Sequence, residues 1–304
     1  MNESVNVYWL SYHENILSHG FWDNALLDDT FKKGNFIHHE IKCSEFPVNN
    51  KESGGVFIIN GRTHIEDTDK INADIAKLSW VLFIVTGDEE ALFPWRKITH
   101  PRMRVWIMLP RMNQHDDVSF RLPQGYRQQT AELIKEIGYK EKTIDWMFAG
   151  QITHERREQC AAELRYLIDS GKYPNGILSG TKIFGQEKIP YKEYLEMMAQ
   201  TKIVLCPSGP ETPDSFRLYE ALEAGCVPVV DQFSTNFKNP GFWKYVFGDD
   251  IPFPIVDYWD ALPNLMPELL RNYPELSVKC QSWWIQRKKI IFDKLNEDIK
   301  ELSK

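Results

Sequence analysis

The sequence predicts an α/β protein built on parallel, doubly wound sheets, and three observations lead to that prediction. Short apolar runs of strand length alternate with polar or amphipathic segments of helix length. Strands that are apolar throughout are typical of parallel sheets, because helices cover both faces of such sheets. The alternation occurs twice, on either side of polar residues 111–125, and 304 residues are enough for two domains of ordinary size.

The first half of the chain contains five predicted strands and two predicted helices. The letters F-I-H-H-E-I-K-C alternate in polarity, which indicates that the second strand lies at a sheet edge. Residues 111–125 have no clear period, so we interpret them as the approach to a linker. The strands are predicted over residues 5–10, 36–43, 56–60, 81–86 and 105–109, and the helices near 22–32 and 69–77.

The second half repeats the alternation and then becomes largely helical from residue 257 to residue 304. A helix over 127–137 opens this half. It is followed by strands over 146–149, 177–179, 203–206 and 227–230, with helices over 154–169, 191–200 and 215–223 between them.

Composition limits the possible functions and compartments. A net charge of -7 argues against a protein that coats nucleic acid non-specifically. The five cysteines are scattered, and Cys206 and Cys226 lie in apolar runs, which is typical of buried free thiols in a reducing compartment. The N-terminal letters M-N-E-S-V-N-V-Y-W-L do not have the form of a signal peptide, and no apolar run reaches membrane-spanning length. We therefore expect a cytoplasmic protein.

One segment, residues 207–231, has the composition of a ligand-binding loop and helix. It reads P-S-G-P-E-T-P-D-S-F-R-L-Y-E-A-L-E-A-G-C-V-P-V-V-D, a loop followed by a short helix that Gly225 ends and then by an apolar strand. Arg217 and Glu220 are three positions apart and share a helical face. A helix N-terminus and an arginine favour a diphosphate, and a glutamate can accept hydrogen bonds from ribose. A capped helix with a solvated ion pair is the alternative interpretation.

The letters D-S-F-R-L-Y-E-A-L-E-A-G-C-V-P-V-V resemble the nucleotide-sugar-binding segment of exostosin-like glycosyltransferases. The family pattern is a serine and an arginine followed by E-A-[LI]-x-x-G-C-[IV]-P-V. The resemblance implies that Glu220 binds ribose and that Ser215 and Arg217 contact phosphate. The looser E-x7-E pattern of GT-B glycosyltransferases requires a glutamate at the position of Thr212, so the exostosin-like pattern fits better.

The resemblance also implies an architecture and an activity. It implies a GT-B fold, with two Rossmann-like domains facing a central cleft. We expect an N-terminal acceptor domain over residues 1–125, a C-terminal donor domain over 126–280, and a helical segment over 281–304 that packs back on the N-terminal domain. The expected reaction transfers a sugar from a nucleoside diphosphate sugar, with UDP as the expected nucleotide, to a hydroxyl acceptor. Inversion is expected rather than retention, and no metal or other cofactor is expected to be required.

A second loop, F-A-G-Q-I-T-H-E-R-R-E, follows the first strand of the second half, and ligands of open α/β sheets bind outside the carboxyl ends of strands. Family members have a similar A-G-x…R segment that reaches the diphosphate. This predicts a donor contact at Gly150 and Gln151 and a phosphate ligand at Arg156 or Arg157, one of which must point away because helical neighbours diverge by roughly 100°. A solvated helix face is the alternative. The loop before the motif helix adds Ser208, and Lys182 is a further candidate cation.

The catalytic base is sought in the loop after the first strand, S-Y-H-E-N-I-L-S-H-G-F-W-D. An inverting transferase requires a general base that deprotonates the acceptor hydroxyl. Glu14 and His19 are the first candidates, with His13 and Asp23 behind them, although polar loops after strands are common in any case. The letters T-G-D-E-E, with the carboxylates of residues 88–90, provide rival bases.

A cluster of basic residues raises a question about the acceptor. A glycan acceptor is the first expectation, and Arg102 and Arg104 are the candidates for binding an anionic one. The same cluster permits a DNA glycosyltransferase that acts on flipped, hydroxymethylated bases. Solvated arginines on a strand are the preferred explanation of the cluster, and a non-catalytic nucleotide-sugar-binding protein is the third possibility. The cluster comprises Arg96, Lys97, His100, Arg102, Arg104 and Arg111.

Overall fold

A computed structural model describes residues 4–11, 25–42, 53–183 and 189–304 of the chain. Within these ranges the protein is a mixed α/β structure with two parallel sheets, one of six strands and one of five. The chain forms two compact units. Unit 1 comprises residues 1–124 and 287–304, and unit 2 comprises residues 125–286. The prediction of parallel α/β sheets is confirmed.

The sheet of unit 1 has the strand order β2-β1-β3-β4-β5-β6, and every described pair in it is parallel. Its central strands, β3 and β4, are buried along their whole length, which is why they lack polar alternation. β2 is at the sheet edge, as predicted. The elements are β1 (Val5–Ser11), α1 (Ala25–Phe31), β2 (Phe36–Lys42), β3 (Gly55–Asn60), α2 (Thr68–Ile75), β4 (Val81–Thr86), β5 (Met103–Met108) and β6 (Phe120–Leu122).

β6 was not predicted, because its three residues lie in the stretch that we interpreted as the approach to a linker. It pairs with β5 through the partners Trp106 and Phe120, whose rings are 4.6 Å apart. A strand of three residues with a central arginine is too short to show a period of two. Its position is set by the neighbouring strand.

The sheet of unit 2 has the order β11-β10-β9-β7-β8, and its described pairs are also parallel. The chain runs from β7 to β8 on one side and then returns past β7 to β9 on the other, so the winding direction changes between β7 and β9. The elements are α3 (Thr130–Ile137), β7 (Ile144–Gln151), α4 (Glu155–Asp169), β8 (Gly176–Thr181), α5 (Tyr191–Ala199), β9 (Thr201–Cys206), α6 (Phe216–Glu223), β10 (Val227–Asp231), α7 (Phe242–Phe247) and β11 (Ile255–Val256).

The predicted helical C-terminus is one helix, α8 (Leu262–Leu302), of 41 residues. Its first part packs in unit 2, where Trp284 Nε1 donates to the Glu223 carboxylate at 2.7 Å and Ser277 Oγ donates to the Gly225 carbonyl at 2.9 Å. Its last part belongs to unit 1, where Trp106 Nε1 donates to the buried Asp298 carboxylate at 2.8 Å. In the described ranges no helix is both long enough and apolar enough to cross a membrane.

Four cysteines are described, and all four are buried and free, which confirms the predicted state of Cys206 and Cys226. Cys43 lies outside the described residues.

Candidate functional site

The candidate site lies in unit 2, at the carboxyl ends of β7 and β9. The winding direction of the sheet changes between these two strands, and in open α/β sheets ligands bind in the crevice at that point. α4 begins shortly after β7, and α6 begins after the loop that follows β9. Both helices therefore direct their N-termini, which attract anions, to the same edge of the sheet.

Arg217, in the first turn of α6, lies against the end of β7. Its Nε donates to the carbonyl of Ala149 at 3.1 Å, and its guanidinium carbon is 4.7 Å from the centre of the Phe148 ring. Gly150 makes this placement possible, since a Cβ at that position would lie 2.1 Å from Arg217 Nη2. The φ angle of Gly150, +153°, also disfavours other residues. The remaining nitrogen, Nη1, is buried and has no hydrogen-bond partner among the described residues.

Two buried serine hydroxyls lie at the ends of the loop that joins β9 to α6. Ser215 is the N-cap of α6, yet its hydroxyl makes no capping bond. The Ser208 backbone N–H donates to Asp231 Oδ2 at 2.9 Å, and this bond holds the start of the loop on the end of β10. Among the described residues, neither hydroxyl has a hydrogen-bond partner. Such groups are available to a ligand.

The adjacent arginines of α4 have different surroundings. Arg156 is only 4% exposed, forms an ion pair with the fully buried Asp231, and donates to the Asp257 carbonyl at 2.8 Å. Arg157 is half-buried and donates to the carbonyls of Ser208 at 3.0 Å and Gln151 at 3.2 Å. Arg156 was a candidate phosphate ligand. The structure instead shows it bound to Asp231 inside the fold, because its side chain faces β10, and Arg157 lies at the strand ends.

We refer to Arg157, Ser208, Ser215 and Arg217 as the strand-end cluster. Gly150 and Gln151 provide backbone to the cluster, as the contacts of the two arginines show. Lys182 is exposed just after β8.

His154 is a residue of this region that the sequence analysis missed. It is the N-cap of α4, and its Nδ1 is 3.3 Å from Thr235 Oγ1. Its Nε2 is buried and has no hydrogen-bond partner in the described part of the chain. Burial first, and then the positive charges of Arg157 and Arg217, lower the pKa of His154 to about 4, so the imidazole is neutral at pH 7. The sequence signal that could have identified His154 is its position, since it is a polar residue directly before a helix that follows a strand.

Glu220 is buried, and two tyrosines of α5 hold its carboxylate. Tyr191 and Tyr194 donate to Oε1 and Oε2 at 2.9 and 2.8 Å. Burial raises the pKa of Glu220, while the two tyrosines and the charge of Arg217 oppose that shift. Helical spacing predicted that Arg217 and Glu220 share one face of the helix, but it did not predict the two tyrosines. Each carboxylate oxygen has a second lone pair, so Glu220 can still accept a bond from a ligand.

The basic cluster of unit 1 is largely engaged within the protein. Arg102 donates to the Leu302 carbonyl, and Arg104 pairs with Glu301 and, at 3.4 Å, with Asp298. Both were candidates for acceptor binding, and the structure instead places them on the end of α8. Arg104 is drawn there by the acidic side chains of Glu301 and Asp298, and Arg102 by a backbone carbonyl. Arg96 pairs with Asp117, and Arg111 donates to the Glu89 carbonyl.

The candidate bases divide between described and undescribed parts of the chain. Glu14, His19, His13 and Asp23 lie outside the described residues. Of the rival carboxylates, Asp88 is buried and its two oxygens accept the N–H groups of Leu92 and Phe93, both at 2.9 Å. Asp88 therefore stabilises a turn. Arg62 approaches Glu90 to 3.7 Å at the surface.

Part of the chain is similar to a known protein family. Residues 181–295 match the family model described as the RXYLT1 C-terminal domain. The matched region contains Ser208, Ser215, Arg217 and Glu220, and it begins after β7 and α4, which carry Gly150, His154 and Arg157. This similarity supports a glycosyltransferase-type, exostosin-like family for the chain.

Proposed function

We propose that this protein transfers a sugar from a nucleoside diphosphate sugar to a hydroxyl acceptor, with UDP as the donor nucleotide. The observation that carries the proposal is the guanidinium of Arg217 at the end of β7, with a buried Nη1 that has no partner among the described residues. The hydroxyls of Ser208 and Ser215 are also buried, and they also have no hydrogen-bond partner among the described residues. Two helix N-termini and Arg157 make the surroundings favourable for a diphosphate.

In this proposal, Glu220 binds the ribose of the donor. Its two oxygens are held by Tyr191 and Tyr194, so the carboxylate is fixed before the ligand arrives. A carboxylate that is already fixed loses little conformational entropy when it accepts hydrogen bonds from the ligand, which favours recognition of the two ribose hydroxyls. The diphosphate and the ribose then contact α6 at positions about one turn apart, the diphosphate at Arg217 and the ribose at Glu220.

The proposed chemistry breaks the bond between the sugar C1 and the diphosphate oxygen and forms a bond from C1 to the acceptor oxygen, with inversion. The electron pair of the broken bond leaves with the diphosphate, whose charge Arg217, Arg157 and the helix N-termini stabilise. The proton of the acceptor hydroxyl passes to a general base. We assign that base to the loop that contains Glu14, His19 and His13. The donor nucleotide is a co-substrate in this proposal, and Arg217, Arg157 and Glu220 are the charged groups that we assign to its binding.

The acceptor in this proposal is a glycan. A DNA acceptor receives little support, because Arg102 and Arg104 are bound to the end of α8.

Calorimetric titration with UDP and with a panel of UDP-sugars tests the proposal. We expect wild-type protein to bind UDP and Arg217→Ala to lose at least about 2 kcal/mol of binding free energy, because charge-assisted hydrogen bonds to phosphate are lost. Arg165→Ala, which removes an exposed arginine of α4, is the matched control and should bind like wild type. Equal UDP affinity in Arg217→Ala and wild type would overturn the proposed site. Transfer or hydrolysis of the donor distinguishes an enzyme from a binding protein.

A further inference from the structure

The neutral histidine at the start of α4 has no role in the site proposed so far. His154 caps α4 at the edge where β7 ends, and Thr235 approaches its Nδ1 to 3.3 Å. Its Nε2 is buried without a hydrogen-bond partner in the described structure, like Ser208 Oγ, Ser215 Oγ and Arg217 Nη1. Four buried polar atoms in this condition, on segments that meet at the ends of β7 and β9, indicate that the imidazole shares a ligand with the strand-end cluster.

The charges around His154 are mainly positive. Arg156 and Arg157 on α4 and Arg217 on α6 all act on the imidazole, and each lowers its pKa, whereas the backbone of Ser208 acts in the opposite direction and raises it. The carboxylate of Asp231, at the end of β10, is paired with Arg156. The N-terminal end of α4 adds a further positive potential. An anion bound here would reverse this balance, because a negative charge beside an imidazole favours the protonated form.

We propose that His154 is a diphosphate ligand whose Nε2 donates a hydrogen bond to the bound anion, and that the imidazole takes up a proton when the diphosphate binds. This inference rests on the proposed function, since it adds a ligand to the same site. The ring is held from its other side at Thr235, so Nε2 is the nitrogen that remains for the ligand.

The sign of the pH effect follows from the two states of the site. Without ligand, His154 stays neutral down to a pH of about 4. With the diphosphate bound, its pKa is higher, so between the two pKa values the complex binds one proton more than the free protein. UDP affinity therefore rises as the pH falls through that window.

The test is calorimetry with UDP as the probe, at pH 6 and pH 8, in two buffers of different ionisation enthalpy. His154→Ala should bind UDP roughly tenfold more weakly than wild type, the loss expected for one hydrogen bond to a charged group. His154→Gln keeps an N–H donor that cannot titrate. It should recover most of the affinity at pH 8 and should take up fewer protons than wild type at pH 6. UDP itself titrates, and because its contribution is the same in both proteins, the difference reports the histidine.

A histidine outside the candidate site provides the matched control. His115 is a buried histidine of unit 1, and burial and Arg96 also lower its pKa to about 4. Because it lies in the other unit, His115→Gln should take up as many protons as wild type. Thermal unfolding without UDP checks that each variant folds. Wild-type affinity in His154→Ala, or wild-type proton uptake in His154→Gln, would overturn this inference alone. A wild-type protein that binds no UDP would overturn the proposed function as well.

Discussion

Gly150 determines where the guanidinium of Arg217 can lie. A methyl group at residue 150 would meet Arg217 Nη2 at 2.1 Å, and its φ of +153° is unfavourable for alanine. We predict that Gly150→Ala displaces the guanidinium, weakens UDP binding at least tenfold, and costs about 1–3 kcal/mol of unfolding free energy through backbone strain. Calorimetry and urea unfolding measure the two effects. Gly171→Ala is the control, since residue 171 has a φ of +67° and no atom within 4 Å of the added Cβ. It should reduce stability and leave UDP affinity unchanged.

Tyr194 positions the carboxylate that we assign to the ribose. Its hydroxyl donates to Glu220 Oε2, and Tyr194→Phe removes that bond while it keeps the ring. We predict weaker binding of UDP and unchanged binding of inorganic pyrophosphate, because pyrophosphate has no ribose to contact Glu220. Competition titrations with both ligands give the comparison. Tyr166→Phe, on an exposed residue of α4, should change neither affinity. An equal loss for UDP and pyrophosphate would contradict the positioning role.

At the scale of elements, the two adjacent arginines of α4 have different roles, Arg156 in stability and Arg157 in ligand binding. Arg156 joins α4 to β10 through the fully buried Asp231. Arg156→Met leaves that carboxylate buried and unpaired, so we predict a loss of about 3–5 kcal/mol of unfolding free energy. Arg157→Met should reduce stability less than Arg156→Met does, and it should weaken UDP binding more, because the Arg157 side chain lies at the strand ends. Urea unfolding and calorimetry on both variants test this division. The reverse order of the two stability losses would contradict it.

The elements also show where sequence patterns stop being informative. Long apolar strands such as β4 were predicted with their observed bounds, because burial on both faces leaves a continuous signal. β6 was not predicted, because its three residues show no sequence period and it forms a strand by pairing with β5. α8 continues through Pro267 and Pro274, which interrupt hydrogen bonds but do not end it. Packing of its buried residues, among them Trp284 and Leu295, compensates for those losses.

At the scale of the whole molecule, each unit contains a histidine that folding keeps neutral, the buried His115 in unit 1 and the half-buried His154 in unit 2. Burial, followed by nearby arginines, lowers the pKa of His115 in unit 1 and of His154 in unit 2 to about 4. Their unfolded pKa is about 6.5, so the unfolded chain binds more protons between these values. We predict that stability is highest above pH 6.5 and falls as the pH approaches 4. Urea unfolding at pH 7 and pH 5 measures this, and His115→Gln and His154→Gln should each reduce the difference. A difference that neither variant changes would contradict the assignment.

The class of fold and the segment that resembles a nucleotide-sugar site can be predicted from the amino-acid sequence alone. Both depend on local patterns, namely apolar strands of similar length and a helix that places Arg217 beside a loop. The contacts of individual side chains depend instead on residues that are distant in the sequence. Arg156 meets Asp231, 75 positions away, and Glu220 meets tyrosines 29 and 26 positions earlier. Helical spacing shows that two arginines diverge but not which one faces a buried carboxylate. That choice depends on how α4 packs on the sheet, and no local pattern encodes it.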